Sequence, residues 1–313
     1  MKREEMLDAT ESILTKAGLV VSDRCIARAS CFDFVTRRKN QLIFLKTYSN
    51  IGNVSPRDAS ELHSISSYFS GIPLLVGDQS RRKPLEDDTV YTRYDLYAMT
   101  PKTLEDSLIR GTYPLIEAGP GGYYVRLDGD KIRKKRQELG LSVGDLAEMM
   151  GISRRTLYGY EKGMAKASVS VAYKLEWALG VAVVQAIDVF ESRPEAKGFF
   201  ATAKCMIIKH LLLQSILRKL SEIDFRVAHT KRAPFDFMAQ CPEGRLNLIG
   251  GISRKKECNI DRRTEEIISV SKVMNAQPVF VTDGKETPNS NIPSICQEDF
   301  AKIKCREDLV AQL

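Results

Sequence analysis

The sequence is poor in the residues that build zinc sites and disulfide frameworks. Its 313 residues include three histidines and seven cysteines, and no two cysteines form a C-x-x-C pair. A structural zinc site needs four closely spaced ligands, so we expect no metal here. An odd, dispersed set of cysteines fits free thiols in a reducing compartment, which predicts a cytoplasmic protein. The cysteines are Cys25, Cys31, Cys205, Cys241, Cys258, Cys296 and Cys305.

Long hydrophobic runs are also absent. The most apolar stretch, residues 205–217, is interrupted by Lys209, His210 and Gln214 and is too short to span a bilayer. Four of the first five residues are charged and lead into a helical pattern, which argues against a signal peptide. We therefore expect no membrane partner.

The composition is that of a globular protein with a modest basic bias. Hydrophobic residues make up 43% and charged residues 28%, and the length allows two to three domains. The net charge of +7 is compatible with nucleic acid but not specific for it. Five cations fall within residues 131–136, and part of that run is expected to be a solvated helix face.

Residues 139–163 predict two short helices separated by a glycine. Ser142 and Ser153 are good N-caps, and Gly151 allows the tight bend between the helices. Leu157 and Tyr160 face inward on the second helix, at positions i and i+3. The pattern therefore predicts a helix-turn-helix.

The outer face of the second helix carries its cations. Arginines in a first turn are unfavourable beside the positive end of the helix dipole, which points to an anionic partner. A short helix that carries them suits the reading of base edges in DNA. The plainer alternative is a small helical hairpin with a solvated basic face. The outer residues are Arg154, Arg155, Thr156, Tyr158 and Lys162.

The central run resembles the Cro/lambda-repressor-like (XRE) helix-turn-helix family. Leu141-Ser142, Leu146-Ala147 and Tyr160-Glu161-Lys162-Gly163 match its motif, whereas Val143 stands where many members have a DNA-contacting glutamine. The resemblance implies a homodimer that binds double-stranded DNA, and a structural ion pair between Arg136 and Glu161. Our candidate DNA-binding residues are Ser142, Ser153, Arg154, Arg155, Thr156, Tyr158 and Lys162.

We predict five helices for this domain, which spans residues 129–192. The fourth covers residues 168–179 and the fifth residues 183–190. Before the domain, Gly119-Pro120-Gly121-Gly122 lies between two apolar runs. That pattern predicts either a hairpin or a glycine-rich hinge within a linker of residues 111–128.

The two ends of the chain resemble each other in four places, in the same order. Chance could give one such match, but hardly four with a nearly constant offset. We therefore predict one α/β domain in two copies, residues 1–110 and 200–313, on either side of the DNA-binding module. The matches are residues 11–16 with 214–219, 32–34 with 235–237, 61–66 with 266–271, and 73–78 with 278–283.

The repeated order of elements resembles the restriction-endonuclease-like, PD-(D/E)xK, fold. In its active members an aspartate and a Glu-x-Lys on the next strand hold Mg²⁺ for phosphodiester cleavage. Asp33 and Lys46 match the aspartate and the lysine, but Phe44 stands at the glutamate position. A divalent ion normally needs two carboxylates. We therefore expect no catalytic residue and no cofactor in this copy.

The second copy is further from the active pattern. Asp236 is kept, and we assign the glutamate and lysine positions to Leu248 and Gly250. The motif of Asp33, Lys46 and Asp236 is therefore degenerate. The predicted fold is α/β plus all-α: two repeated nuclease-like domains flanking a lambda-repressor-like five-helix domain.

Across most of its length the chain is similar to a family of archaeal XRE-type transcriptional regulators. Residues 32–33, 121–125, 129, 153–156 and 160–163 carry this resemblance. It implies a sequence-specific DNA-binding regulator whose α/β domains serve dimerisation or the sensing of an effector. The two α/β copies could pair with each other within one chain or between chains. The alternatives are a Mg²⁺-dependent nuclease or resolvase-like enzyme, and an antitoxin-like autorepressor.

Overall fold

The computed structural model describes residues 2–81, 83–191, 210–242, 246–253, 259–283 and 292–313. The chain divides into two compact units. The first contains residues 1–17, 48–54 and 75–191, and the second contains residues 18–47, 55–74 and 192–313. This division differs from the predicted one, because the first α/β region contributes segments to both units. No helix in these described ranges is long and apolar enough to cross a membrane.

Six of the helices that the structure describes begin at a serine, threonine or aspartate whose side chain accepts a backbone hydrogen bond of the first turn. Ser55 Oγ, for example, accepts a hydrogen bond from Asp58 N at 3.0 Å, and Pro56 occupies the first helical position. The α-helices of the described residues are α1 (Arg3–Lys16), α2 (Pro56–Tyr68), α3 (Pro101–Glu105), α4 (Gly129–Glu138), α5 (Val143–Met150), α6 (Arg154–Glu161), α7 (Val169–Leu179), α8 (Leu211–Glu222), α9 (Ile260–Met274), α10 (Gln297–Lys302) and α11 (Arg306–Val310).

The strands of the described residues fall into two sheets. Strands β1–β11 belong to one sheet and β12–β16 to the other. They are β1 (Val20–Val21), β2 (Phe34–Arg38), β3 (Gln41–Asn50), β4 (Ile72–Ser80), β5 (Lys83–Pro84), β6 (Thr89–Arg93), β7 (Leu96–Met99), β8 (Ile116–Gly119), β9 (Gly122–Leu127), β10 (Ala167–Ser168), β11 (Val184–Gln185), β12 (Arg226–His229), β13 (Phe237–Gln240), β14 (Asn247–Ile252), β15 (Gln277–Thr282) and β16 (Ser294–Cys296).

In the first unit, strands β4, β7, β6, β8, β9 and β10 are neighbours in that order. Strands β8 and β9 form the predicted hairpin, with Gly119 opposite Gly122. Its turn is Pro120-Gly121, and Gly121 has a φ of +88°, which favours glycine. Because β8 also pairs with β6, residues 116–127 are part of the sheet and not a hinge.

Strand β9 also contributes to the core of the helix-turn-helix domain. Its Val125 and Leu127 pack in one cluster with Ile132, Leu146 and Leu157. Strand β10 follows α6 and pairs with β9, so the hairpin and the helices share one hydrophobic core. The pairing of β10 with β9 therefore holds the chain that leaves α6 against the sheet.

The predicted fifth helix, residues 183–190, is wrong. Those residues contain β11, which pairs with β9, followed by extended chain and a turn. The N–H groups of Val183 and Val184 also donate to Glu176 Oε1 of α7, at 2.7 and 3.0 Å, which holds the start of this segment against α7. Residues 181–184 contain three valines, and β-branched side chains favour a strand. The described part of this domain thus has four helices, α4–α7.

The second unit contains β1, β2, residues 41–47 of β3, residues 72–74 of β4 and the separate sheet β12–β16, whose strands are in sequence order. Strands β12, β13 and β14 pair antiparallel, and β15 and β16 continue the sheet in parallel. Helix α8 covers a core that includes Phe237, Val281 and Phe300. Helix α9 packs on β14 and β15, and also on β2.

The hydrogen bonds around the two aspartates correct the predicted alignment. Asp33 N donates to Leu45 O and Thr47 N donates to the Asp33 carboxylate, at 2.7 and 2.8 Å. In the second region, Asp236 N donates to Gly250 O at 2.7 Å. Ile252 N donates to the Asp236 carboxylate at 2.9 Å. Lys46 therefore corresponds to Gly251 and Phe44 to Ile249. The predicted positions, Leu248 and Gly250, are one residue too early. The segment between Asp236 and the position matching Lys46 is two residues longer than the segment between Asp33 and Lys46, whereas the prediction assumed one.

Candidate nucleic-acid interface

The two helices of the central hairpin begin at serine caps. Ser142 Oγ accepts a hydrogen bond from Asp145 N at 3.1 Å, and Asp145 Oδ2 accepts one from Ser142 N at 2.8 Å. The side-chain hydrogen bond of Ser142 and then its backbone N–H lower the pKa of Asp145. Ser153 Oγ accepts from Thr156 N at 3.0 Å and lies 2.8 Å from Thr156 Oγ1. Both first turns are therefore fixed by their own sequence.

The inner face of α6 is held by packing and by one buried ion pair. Leu157 and Tyr160 are buried in the core of the domain. Arg136 Nε donates to Glu161 Oε1 at 2.6 Å, and Nη2 donates to Oε2 at 3.2 Å. Arg136 Nη1 also donates to Leu141 O at 2.8 Å. The hydrogen bond to Glu161 raises the pKa of Arg136, and the pair ties α4, α6 and the start of α5 together.

The outer face of α6 presents Arg154, Arg155, Tyr158 and Lys162 to solvent. Lys162 Nζ lies 5.7 Å from the centre of the Tyr158 ring, within cation–π distance. The guanidinium of Arg154 lies against Gly144 of α5. A Cβ atom at Gly144 would be only 3.0 Å from Arg154 Nε, so the missing side chain leaves room for the arginine.

The charges on α4 and α6 differ in their partners. On α4, Arg133 pairs with Asp130 at 2.7 Å and Lys135 with Glu138 at 3.2 Å, which neutralises part of the basic run. The α6 cations Arg154, Arg155 and Lys162 form no salt bridge with any residue that the structure describes. Arg154 adds to the lowering of the Asp145 pKa by Ser142, so part of its charge is balanced, and Arg155 and Lys162 remain available to an anionic partner.

The predicted nuclease motif of the first α/β region is buried and fully hydrogen-bonded. Lys46 Nζ donates to Asp33 Oδ1 and to Ser30 O, both at 2.7 Å. Thr47 N and Oγ1 both donate to Asp33 Oδ2 at 2.8 Å. Phe44 is also buried, with its ring 5.5 Å from that of Phe32. Lys46 is thus engaged inside the protein and does not face solvent.

Asp236 in the second α/β region is held by two arginines. Arg28 Nη1 donates to Asp236 Oδ1 at 2.8 Å, and the buried Arg263 contacts Oδ2. Arg263 Nε also donates to Pro234 O at 2.7 Å. A Cβ atom at Gly251 would lie 2.7 Å from the Phe280 ring, so the position that corresponds to Lys46 has no room for a side chain. Among the residues whose placement is described, no group of three His, Cys, Asp or Glu could hold a metal ion.

Comparison with known proteins assigns the chain to a family. A "PD-(D/E)XK superfamily domain" model matches residues 3–114, and a "Helix-turn-helix" model matches residues 132–184. A protein of Thermococcus gammatolerans, named "Putative HTH-type transcriptional regulatory protein", is 32% identical over 99% of this chain and 96% of its own. A protein of the same name from Methanosarcina acetivorans is 30% identical over 99% and 96%.

The chain belongs to this family of HTH-type transcriptional regulatory proteins. Among solved structures, the restriction-modification controller protein C.AhdI from Aeromonas hydrophila matches at 34% identity, over 17% of this chain and 80% of its own, with a TM-score of 0.17. The family assignment therefore comes from the full-length relatives.

Three residues with structural roles in this family member were not predicted from its sequence. Gly144 is one, although a glycine inside a helix costs about 1 kcal/mol relative to alanine and so signals a packing reason. Arg263 is another, and it shares an α9 face with buried Ile267 and Val270 at i, i+4 and i+7. A charged residue within an apolar row indicates a buried partner. Nothing in the sequence indicates that Arg28 contacts Asp236.

One packing contact of the HTH domain gives a stability prediction. A Cβ atom at Gly129 would lie 2.6 Å from Tyr160 O and closer still to Glu161 O, so α4 and the end of α6 would have to separate. We expect Gly129→Ala to lower the free energy of unfolding by about 1–3 kcal/mol. Gly159→Ala is the control: its Cβ would meet Ala165 Cβ at an ordinary 3.7 Å, and we expect a gain of up to about 1 kcal/mol. Equal effects of the two changes in urea unfolding would contradict the close contact.

Proposed function

We propose that this protein regulates transcription by binding a specific double-stranded DNA sequence through α6. The observation that carries the proposal is the contrast between the two faces of that helix. Its inner face is fixed by Leu157, Tyr160 and the Arg136–Glu161 pair, and its outer face carries exposed cations without salt-bridge partners among the described residues. A rigid helix with free guanidinium groups suits readout in the major groove.

The proposed contacts follow from the position of each residue on the hairpin. Arg154 and Arg155, in the first turn of α6, would reach base edges or the flanking phosphates, together with Tyr158. The remaining four would mainly orient the protein on the DNA backbone: Ser142, Ser153, Thr156 and Lys162. We further propose that the protein binds as a homodimer, because two copies of this hairpin would match a palindromic site.

We propose that the two α/β regions are copies of one nuclease-like domain that pair within the chain. Their contacts are reciprocal. Glu61 of α2 accepts a hydrogen bond from Thr230 Oγ1 at 2.9 Å, and Glu266 of α9 accepts one from Ala27 N at 2.7 Å. Glu61 and Glu266 are corresponding positions in the repeat, and so are Ala27 and Thr230. Such reciprocity is typical of an internal pseudo-twofold axis.

We propose that neither copy cleaves DNA. Both oxygens of Asp33 and both oxygens of Asp236 already accept hydrogen bonds from buried or half-buried donors of the protein. Phe44 and Ile249 occupy the positions of the second carboxylate. An ion such as Mg²⁺ would have to displace Lys46 or the two arginines and would gain one carboxylate ligand in return.

Incubation with linear and branched duplex DNA tests this part of the proposal. With Mg²⁺ or Mn²⁺, the wild type is expected to give no more product than the Asp33→Asn variant, because the wild-type site binds no ion. The products are counted on denaturing gels. Metal-dependent cleavage that Asp33→Asn abolishes would instead assign an enzymatic role to the first α/β region.

Selection from a randomised duplex library tests the regulatory proposal. The full chain is expected to enrich one motif with two-fold symmetry and half-sites about one helical turn, roughly 10 base pairs, apart. The Arg154→Ala/Arg155→Ala variant serves as the control and is expected to enrich no motif. If both proteins enrich the same motif, α6 does not read the sequence, and if neither enriches one, the protein is not a sequence-specific binder.

A further inference from the structure

Helix α7 carries an exposed apolar row on the surface of the HTH domain. Val169, Tyr173 and Trp177 follow one another at i, i+4 and i+8, and their side chains are 38%, 72% and 79% exposed. Trp177 is the only tryptophan in the chain. Large aromatic side chains rarely remain in water as a contiguous group unless they form an interaction site.

The exposed row has no role in the fold of its own domain. The buried face of α7 consists of Ala172, Leu175 and Leu179, which pack in the core formed by α4–α6 and β9. Loss of the Tyr173 or Trp177 side chain would leave that core unchanged. The row therefore serves something other than folding.

We propose that the row is the interface for a second copy of this chain, an inference that rests on the proposed binding of a palindromic site. Two α7 helices would pack antiparallel across a two-fold axis, with Tyr173 against Trp177 of the partner subunit and the reverse. An interface of this kind must be self-complementary. Because none of its three members carries a charge, the row can face a copy of itself without like-charge repulsion.

The charges beside the row also favour a copy of this chain over an acidic or basic partner. Lys174 is the exposed ion next to the row on α7, and it can lie over an aromatic ring of the other subunit. The Glu176 carboxylate is partly engaged within its own domain, because its Oε1 accepts the N–H groups of Val183 and Val184. A strongly charged partner would thus find no matching cluster along this helix.

The size of the row sets the strength of the contact. Tyrosine and tryptophan bury about 150–250 Å² each, so two aromatic residues and one valine per subunit stay below the roughly 1,200–2,000 Å² of a standard interface. We therefore expect a weak, reversible dimer with a dissociation constant in the micromolar range, on the order of 10 µM. Binding of a palindromic duplex would raise the dimer fraction by linkage.

Sedimentation equilibrium of the full chain from about 1 to 300 µM, with Trp177 fluorescence on the same samples, tests the inference. The wild type is expected to pass from monomer to dimer while the Trp177 emission shifts to shorter wavelength. Tyr173→Glu is expected to weaken self-association by at least about tenfold, because it would bury a carboxylate without a partner. Met149→Glu on α5, also an exposed apolar residue, is the matched control and should change nothing.

Two outcomes would overturn the inference: a wild type that stays monomeric throughout, or self-association that Tyr173→Glu leaves intact. If Tyr173→Glu instead weakens DNA binding without touching self-association, the row contacts DNA and the inference is also overturned. Its failure is separable from that of the proposed function. The Arg154→Ala/Arg155→Ala variant should still dimerise without specific DNA binding, whereas a purely monomeric wild type that binds one half-site would refute the interface alone.

Discussion

Replacing Arg154 and Arg155 together with alanine is expected to lower the affinity for the selected DNA site by about 30- to 10⁴-fold. Each arginine that makes a bidentate contact with a guanine contributes about 1–3 kcal/mol of discrimination, and every 1.4 kcal/mol is about tenfold. Both side chains are exposed and form no salt bridge with described residues, so their removal leaves the fold intact. Fluorescence anisotropy titration at one fixed salt concentration measures the change.

A second double variant separates sequence readout from general charge. Lys131→Ala/Lys134→Ala also removes two exposed cations, but from α4 and not from α6. We expect it to weaken binding to specific and unrelated duplexes by similar, smaller factors, since phosphate contacts carry no sequence information. If both double variants reduced specific and nonspecific binding equally, the arginines would act only through charge, and the readout by α6 would be refuted.

The second large effect is expected on stability. Glu161→Ala should lower the free energy of unfolding of the HTH domain by about 3–5 kcal/mol, because it leaves the buried Arg136 guanidinium without its carboxylate. Urea unfolding followed by far-UV circular dichroism is a suitable measurement, since Trp177 is already exposed in the folded domain and its emission would change little on unfolding.

Two controls distinguish the buried pair from an ordinary surface contact. Glu138→Ala removes the exposed partner of Lys135 and should cost at most about 1 kcal/mol. Arg136→Met/Glu161→Leu replaces both buried charges with apolar groups and should cost much less than Glu161→Ala alone. A loss below about 1 kcal/mol for Glu161→Ala would show that the pair is solvated and does not hold α6.

The helix-turn-helix could be predicted because its signals are local. Ser142 and Ser153 cap helices whose first amides lie within three residues, and Gly151 has the left-handed φ of +66° that ends α5. The fifth helix was mispredicted because the conformation of these residues depends on pairing with β9, which is distant in the sequence. Residues 183–184 pair with β9, and the pairing decides between strand and helix where propensity alone is weak.

The two α/β regions also contain contacts that sequence patterns do not specify. Asp33 and Lys46 could be predicted to meet because they lie on or beside adjacent antiparallel strands, whose register is set by the two-residue turn at residues 39–40. The partners of Asp236 come from α9 and from Arg28, some two hundred residues away, and no pattern within either segment specifies that contact. Lys46 corresponds to Gly251 only once the strand pairing is known.

Genome-wide footprinting of the wild type and of the Arg154→Ala/Arg155→Ala variant, expressed at equal levels, tests the central claim most directly. We predict that the wild type protects a limited set of sites that share one two-fold symmetric motif, and that these footprints disappear in the variant. The claim that α6 reads a specific DNA sequence would be contradicted if wild type and variant protected the same sites to the same extent.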